Sequence, residues 1–327
     1  MKQKTIGNET RVNRWGYFFV LPFVLVYFLF NLYPTAYTLM LAFTNSKGFS
    51  GLSGNYTFVG LKNFAKLVSD QYFWGAVGNT FVMWGWNFVP QLGIALLLSI
   101  WLSDLRLKLK GRGFFRAIIY MPNLLTAASV ALLYRSLFGY PIGPVNQFLQ
   151  KLDLYAIVER DGQIIKEAFN FFRYVSASRG IVAFIQWWMW YGHTVIMLMA
   201  GITSISASLY ESAVVDGASS RQTTWYITLP MLRPMMLYIL VTSMIGGMQM
   251  LEIPFLLTDM RGAPDFKIRT TNVYLYNMAF QGVNDYAYAA AISIGVFVIT
   301  IALALGIFIF MQDRSDLKKK AVTKGGL

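Results

Sequence analysis

The chain holds no cysteine and a single histidine, His193, among its 327 residues. Disulfides, thiolate metal sites and cysteine nucleophiles are thereby excluded, and one imidazole cannot build a metal centre by itself. No G-x-x-x-x-G-K-[ST] phosphate loop occurs, so the chain lacks ATP-hydrolysing machinery of that kind. No internal repeat and no low-complexity linker divides it into separate soluble domains. Charge is scarce too: charged residues are 13% of the chain against 56% hydrophobic ones, which places it among polytopic membrane proteins. The charge that remains is lopsided, at a net +13. Cytoplasmic flanks of membrane proteins collect Lys and Arg, which accounts for the surplus without a nucleic-acid partner.

Six apolar stretches can each cross a bilayer, at about Trp15–Ser46, Phe73–Leu102, Phe114–Phe138, Gly180–Thr203, Met235–Leu257 and Tyr286–Met311. The expected fold is therefore all-α, with six transmembrane helices forming one membrane domain over 15–311. The first stretch is far too long for the apolar core of a cleavable signal peptide. Residues 1–14, with Lys2, Lys4, Arg11 and Arg14, read as a cytoplasmic tail, and 312–327, with Lys318, Lys319 and Lys320, as a second. The connector from Asp104 to Arg116, rich in Arg and Lys, also reads as cytoplasmic. Sixteen of the 28 basic residues fall on that side in less sequence than the rest, which puts both termini inside. The longest external segment, 139–179, is expected to hold two helical pieces around Val145–Leu154 and Ile164–Tyr174.

The segment 206–234 is too polar to span and too patterned for a slack loop. Leu209, Ala213 and Gly217 recur at i, i+4 and i+8, so a helix from near Ser206 would gather them on one stripe. Glu211 would lie early in that helix, where the dipole favours a carboxylate, and Gly217 would let another backbone approach closely. Asp216, Leu229 and Pro230 complete the pattern Glu211-Ser212-Ala213, three residues, Gly217, nine residues, Ile227-Thr228-Leu229-Pro230. That spacing resembles the EAA motif of permease subunits in binding-protein-dependent ABC importers, with Ser212 replacing a second small residue. The wording of the whole segment looks like the carbohydrate branch, relatives of the larger maltose permease subunit and of the glycerol-phosphate and oligosaccharide permeases. Phe58-Val59-Gly60-Leu61-Lys62-Asn63-Phe64 resembles the first external loop of the same sugar permeases.

The resemblance implies a non-catalytic, multi-pass subunit of a bacterial inner membrane. It implies a second homologous permease as partner, two cytoplasmic ATPase subunits that hold ATP and magnesium, an external solute-binding protein and a carbohydrate cargo, with no cofactor on this chain. ATPase closure would push the 206–234 helix, and Glu211, Asp216 and Gly217 are the expected coupling residues.

Residues of the translocation path are sought among polar and aromatic side chains at membrane depth. Asn87, Gln91, Asn123, Gln186 and Gln249 are either amide glue between helices or partners for sugar hydroxyls. Trp187, Trp190 and Tyr191 form either an interfacial belt or a stacking platform. His193 is either a packed residue or a path residue, and Glu252, near the end of an apolar run, faces either the interface or a cavity. The external loops carry an excess of positive charge. It would complement an acidic binding protein, or steer an acidic cargo, a uronate-bearing oligosaccharide or sugar phosphate, through Arg173, Arg179, Arg261 and Arg269. Two other classes need features that are sparse: an ion-coupled secondary carrier wants intramembrane carboxylates, where only Glu252 fits, and a membrane-embedded enzyme wants a nucleophile or paired carboxylates.

Overall fold

Long apolar runs in hydrocarbon must satisfy their backbone internally, and in this chain they do so as helices. The computed structural model describes residues 14–103, 110–160, 163–282 and 284–311. The expected basic tails, apart from Arg14, and Asp104, Arg106 and Lys108 of the connector lie outside the described residues.

The first stretch forms α1 (Arg14–Tyr27), a π-helical turn (Phe28–Leu32) and α2 (Tyr33–Leu41). Pro34 has no N–H to give the preceding turn, and it sits in the first turn of α2, just after the widened one. None of this span's most apolar window is buried, and it meets the rest of the chain where α2 packs on α16. A short α3 (Gly48–Leu52) and α4 (Lys62–Ser69) follow. Asn63 donates from Nδ2 to the carbonyls of Ala42 and Thr44, at 2.8 and 2.7 Å, which explains one residue of the loop phrase singled out above.

Asp70 starts α5 (Gln71–Ser103) by accepting from the backbone N–H groups of Tyr72 and Phe73, at 2.8 and 3.3 Å. The third expected span is not straight. α6 (Arg112–Tyr120) runs into a 3-10 turn at Met121–Leu124, and α7 (Ala127–Leu137) leaves at 87°. Pro122 lies inside the turn, and Thr126 starts α7 afresh by accepting from the Ser129 N–H at 3.3 Å.

After α8 (Pro144–Lys151) the expected second helical piece, Ile164–Tyr174, is reduced to a 3-10 turn at Phe171–Arg173. β1 (Ala156–Arg160) instead pairs antiparallel with β2 (Gln163–Glu167), with Ile157 opposite Lys166 and Val158 opposite Ile165. Ile157, Val158, Ile164 and Ile165 are β-branched, and the Asp-Gly pair between the strands is a two-residue hairpin signal in the sequence.

α9 (Val175–Thr203) is the central helix, with half of its most apolar window buried, and it packs most extensively on α5. Phe88, Ala95 and Leu102 of α5 meet Val195, Leu198 and Met199 of α9 in one apolar cluster, to which Ile239 of the fifth span also belongs. The bend after α6 lies against the same helix. A Cβ on Gly192 would come within 2.0 Å of the Ile119 carbonyl oxygen, so only glycine permits the approach.

The segment 206–234 holds α10 (Ala207–Val215), α11 (Ser220–Thr223), a π-helical turn (Thr224–Thr228) and α12 (Leu229–Met231). The fifth expected span is α13 (Arg233–Met248) and α14 (Glu252–Leu257), broken between them. Beyond it lies α15 (Thr271–Phe280), a helix inside what the sequence reads as external loop, and α16 (Tyr286–Met311) closes the bundle.

Candidate functional site

The break between α13 and α14 frees three carbonyls, and three successive side chains at the start of α15 take them. Thr270 Oγ1 donates to Met250 O at 2.7 Å, Thr271 Oγ1 to Met248 O at 3.2 Å and Asn272 Nδ2 to Gln249 O at 2.9 Å. Irregular backbone at membrane depth is tolerated where it lines a cavity, and this one does. A cavity of about 500 Å³ opens between α5, α9 and the α13–α14 break.

Seven of the ten path residues expected from sequence line it: Asn87, Gln91, Gln186, Trp190, His193, Gln249 and Glu252. Gln91 Nε2 donates to Thr194 Oγ1 at 2.7 Å, fixing that wall across α5 and α9. Asn87 lines the cavity but is only 6% exposed, and its Oδ1 is buried with no donor among the described residues, at the desolvation cost of an unpaired amide oxygen. The Trp190 ring is about half exposed, 47%, and meets His193 edge-on at 6.0 Å. Glu252 opens α14 and is exposed toward the cavity.

The other three residues lie elsewhere. Asn123 donates from Nδ2 to Met189 O at 3.3 Å, which pins the bend after α6 to α9 and makes this amide glue. Trp187 stacks on Tyr191 at 5.4 Å, and Tyr191 packs in the α5–α9 cluster. Sequence reasoning passed over Thr194, Thr242, Ser243 and Asn272, which complete the polar lining. Thr242-Ser243 in a predicted span was a legible signal; Asn272, read as loop, was not.

The second candidate region is 206–234. α10 ends in a Schellman motif, with the Ala218 N–H donating to Ala213 O at 2.8 Å and the Gly217 N–H to Val214 O at 3.1 Å. Gly217 sits at φ +73° and a Cβ there would meet nothing within 4 Å in this chain. The stripe drawn from sequence is thus corrected: the helix stops at Val215, Gly217 serves the left-handed turn, and of Leu209, Ala213 and Gly217 only Ala213 is buried. Asp216 is the C-cap and Glu211 is exposed in mid-helix. Ser219 and Gln222 then form a capping box that starts α11. Tyr210 Oη and Thr228 Oγ1 share a hydrogen bond at 3.2 Å, closing α10 onto the π turn. Leu229 and Pro230 form the first turn of α12. Val215, Trp225 and Tyr226 remain exposed on the outside of this hairpin of helices.

The arginines named for steering an acidic cargo are mostly committed. Arg269 is 8% exposed and lies over the rings of Tyr72, Phe266 and Tyr274, with its centre 4.4 to 5.3 Å from theirs. Burial lowers its pKa from the usual guanidinium value. Arg179 donates from Nε to Lys267 O at 3.1 Å and from Nη2 to Asn79 Oδ1 at 2.6 Å. Arg173 and Arg261 are exposed, and neither lines the cavity. Beside Arg269, Asp70 Oδ2 accepts from the hydroxyls of Tyr274, at 2.5 Å, and Tyr288. Burial pushes this carboxyl up, but the two hydroxyls and the N–H groups of Tyr72 and Phe73 outweigh it and hold the pKa below the usual carboxylate value. Burial and the neighbouring Asp70 push the Tyr274 hydroxyl up.

Residues 95–315, about two thirds of the chain, match the family described as binding-protein-dependent transport system inner membrane component. The lactose transport system permease protein LacF of Rhizobium radiobacter is 28% identical over 273 residues, covering 84% of this chain and 86% of its own. The multiple sugar-binding transport system permease protein MsmF of Streptococcus mutans is 29% identical over 279 residues, with 84% and 87% covered. In fold, the chain is similar to one from a crystal structure of a bacterial alginate ABC transporter in complex with an alginate pentasaccharide-bound periplasmic protein. The TM-score is 0.73 at 22% identity, over 94% of this chain and 98% of the other.

Proposed function

As a chain that belongs to the binding-protein-dependent transport system inner membrane component family, and so a multi-pass membrane protein, we propose that it forms half of the translocation path of an ATP-driven oligosaccharide importer. A second, homologous permease supplies the other half. Two ATPase subunits, which carry ATP and magnesium, engage the 206–234 hairpin on the cytoplasmic side, where both termini also lie, and an external binding protein delivers the cargo. This chain itself performs no catalysis.

One observation carries the reading: the cavity at the α13–α14 break is lined by amides, hydroxyls and one half-exposed indole. Such a mixture suits a saccharide, whose hydroxyls need both donors and acceptors and whose C–H faces stack on rings. The 206–234 hairpin is suited to transmit force, because the Schellman turn, the capping box and the Tyr210–Thr228 bond leave it no slack hinge. Its exposed Val215, Trp225 and Tyr226 offer an apolar surface for a partner.

Co-expression with the ATPase, second permease and binding protein tests this directly. Saccharide-stimulated ATP hydrolysis by the purified four-component complex, lost when this chain is omitted, is the expected result. ATP hydrolysis indifferent to every saccharide tried, or a complex that assembles without this chain, would overturn it.

A further inference from the structure

Among the described residues, the cavity wall contains no Lys, Arg or Asp; its single formal charge is the carboxylate of Glu252. Resting on the importer reading, we infer that this half of the path is built for an uncharged oligosaccharide and that Glu252 excludes acidic ones. Two negative charges brought together away from bulk water repel, and the repulsion strengthens as the site closes around its cargo. An acidic sugar would need a cation to meet it, and the wall offers none.

The basic residues around this part of the molecule do not relieve that. Arg135 donates from Nη1 to Leu256 O of α14 at 2.9 Å and pairs with Asp259. Arg179 is spent on Lys267 O and Asn79, and Arg269 lies enclosed among three rings. For a neutral sugar the same wall is favourable. The amides of Gln186 and Gln249 on this wall suit hydroxyls, the Glu252 carboxylate accepts two neighbouring hydroxyls at once, and Trp190 covers a C–H face. The likeness in fold to an alginate transporter chain therefore does not extend, on this wall, to the charge of the cargo.

The test uses the assembled importer in proteoliposomes, with cellotriose, maltotriose and xylotriose as neutral probes and trigalacturonate and trimannuronate as acidic ones. Wild-type complex should be stimulated by a neutral trisaccharide and by neither uronate. In Glu252→Gln the ratio of acidic to neutral uptake should rise about tenfold, because a like charge is removed while an acceptor is weakened. A merely structural role for Glu252 would lower both uptakes together and leave the ratio alone, which overturns the inference. Should the variant fail to assemble, wild-type preference among the five probes still decides: preference for a uronate overturns the inference while leaving the importer reading intact. A complex stimulated by none of them overturns both.

Discussion

Tyr210 Oη lies 3.2 Å from Thr228 Oγ1, so the first helix of the 206–234 segment is bonded to a turn 18 residues later. That bond is what closes two short helices into one body. Removing it with Tyr210→Phe should cost about 1 kcal/mol of local stability. Saccharide-stimulated ATP hydrolysis should fall while the amount of folded permease, measured by size exclusion, is unchanged; an unaltered rate would mean the bond carries no coupling.

Gly217 occupies a left-handed position and touches nothing within this chain, and a turn role and a partner-contact role rank substitutions differently. Asn adopts that conformation more readily than Ala, and Ala more readily than Val. Coupled hydrolysis should therefore fall in the order Gly, Asn, Ala, Val, with Gly217→Ala costing about 1 kcal/mol. Were close approach of a partner the reason for glycine, the larger Asn would be worse than Ala.

Asn87 should separate function from stability. Its buried Oδ1 has no hydrogen-bond partner among the described residues, so Asn87→Leu should leave the thermal midpoint level or raise it. The concentration of saccharide-loaded binding protein needed for half-maximal stimulation should rise about tenfold, as expected for the loss of one desolvated hydrogen bond to cargo.

Gly192→Ala should do the reverse. The added methyl meets the Ile119 carbonyl, and overpacking of this kind costs about 1 to 3 kcal/mol. Thermal scanning in detergent should show a lowered midpoint, and wild-type behaviour would mean that α6 and α9 can separate at no cost.

Asp70 predicts a pH effect. Its folded pKa lies below the ordinary value, so its contribution to stability is full above the unfolded carboxylate pKa and disappears as pH falls through the folded one. Wild-type protein should lose thermal stability from about pH 4 downward, and Asp70→Asn should be less stable at neutral pH but lose less on acidification. Parallel curves for the two proteins would remove Asp70 from the account.

Five of the six expected spans are long apolar helices where the sequence places them, because hydrophobic length is a local property of the sequence; the third is a bent pair. Seven cavity residues were legible, since amides and a carboxylate in apolar runs stand out without knowledge of the fold. The bend after α6 was half legible: Pro122 marks a weak point, but the 87° angle depends on Gly192, some 70 residues on. The break before Glu252 was not legible. No proline lies between Met248 and Glu252, and the groups that make the break tolerable sit at Thr270, Thr271 and Asn272. The start of the piece at 164–174 was misread as helix and β1 was not foreseen, although the β-branched residues and the Asp-Gly pair were in view. Gly217 was found by its motif, but its left-handed turn was not anticipated, because a left-handed turn and a close contact call for the same residue.

The three bonds from 270–272 to the carbonyls of 248–250 act as a latch with three teeth. Side chains at consecutive positions of one helix start cannot slide past the break singly, since shifting one tooth drags the other two out of register. Any release of this wall should therefore be all-or-none, with the three bonds lost together. A reporter placed on residues 248–252 should relax with a single rate constant in the working importer, and that rate should be more sensitive to temperature than the flexing of an ordinary loop.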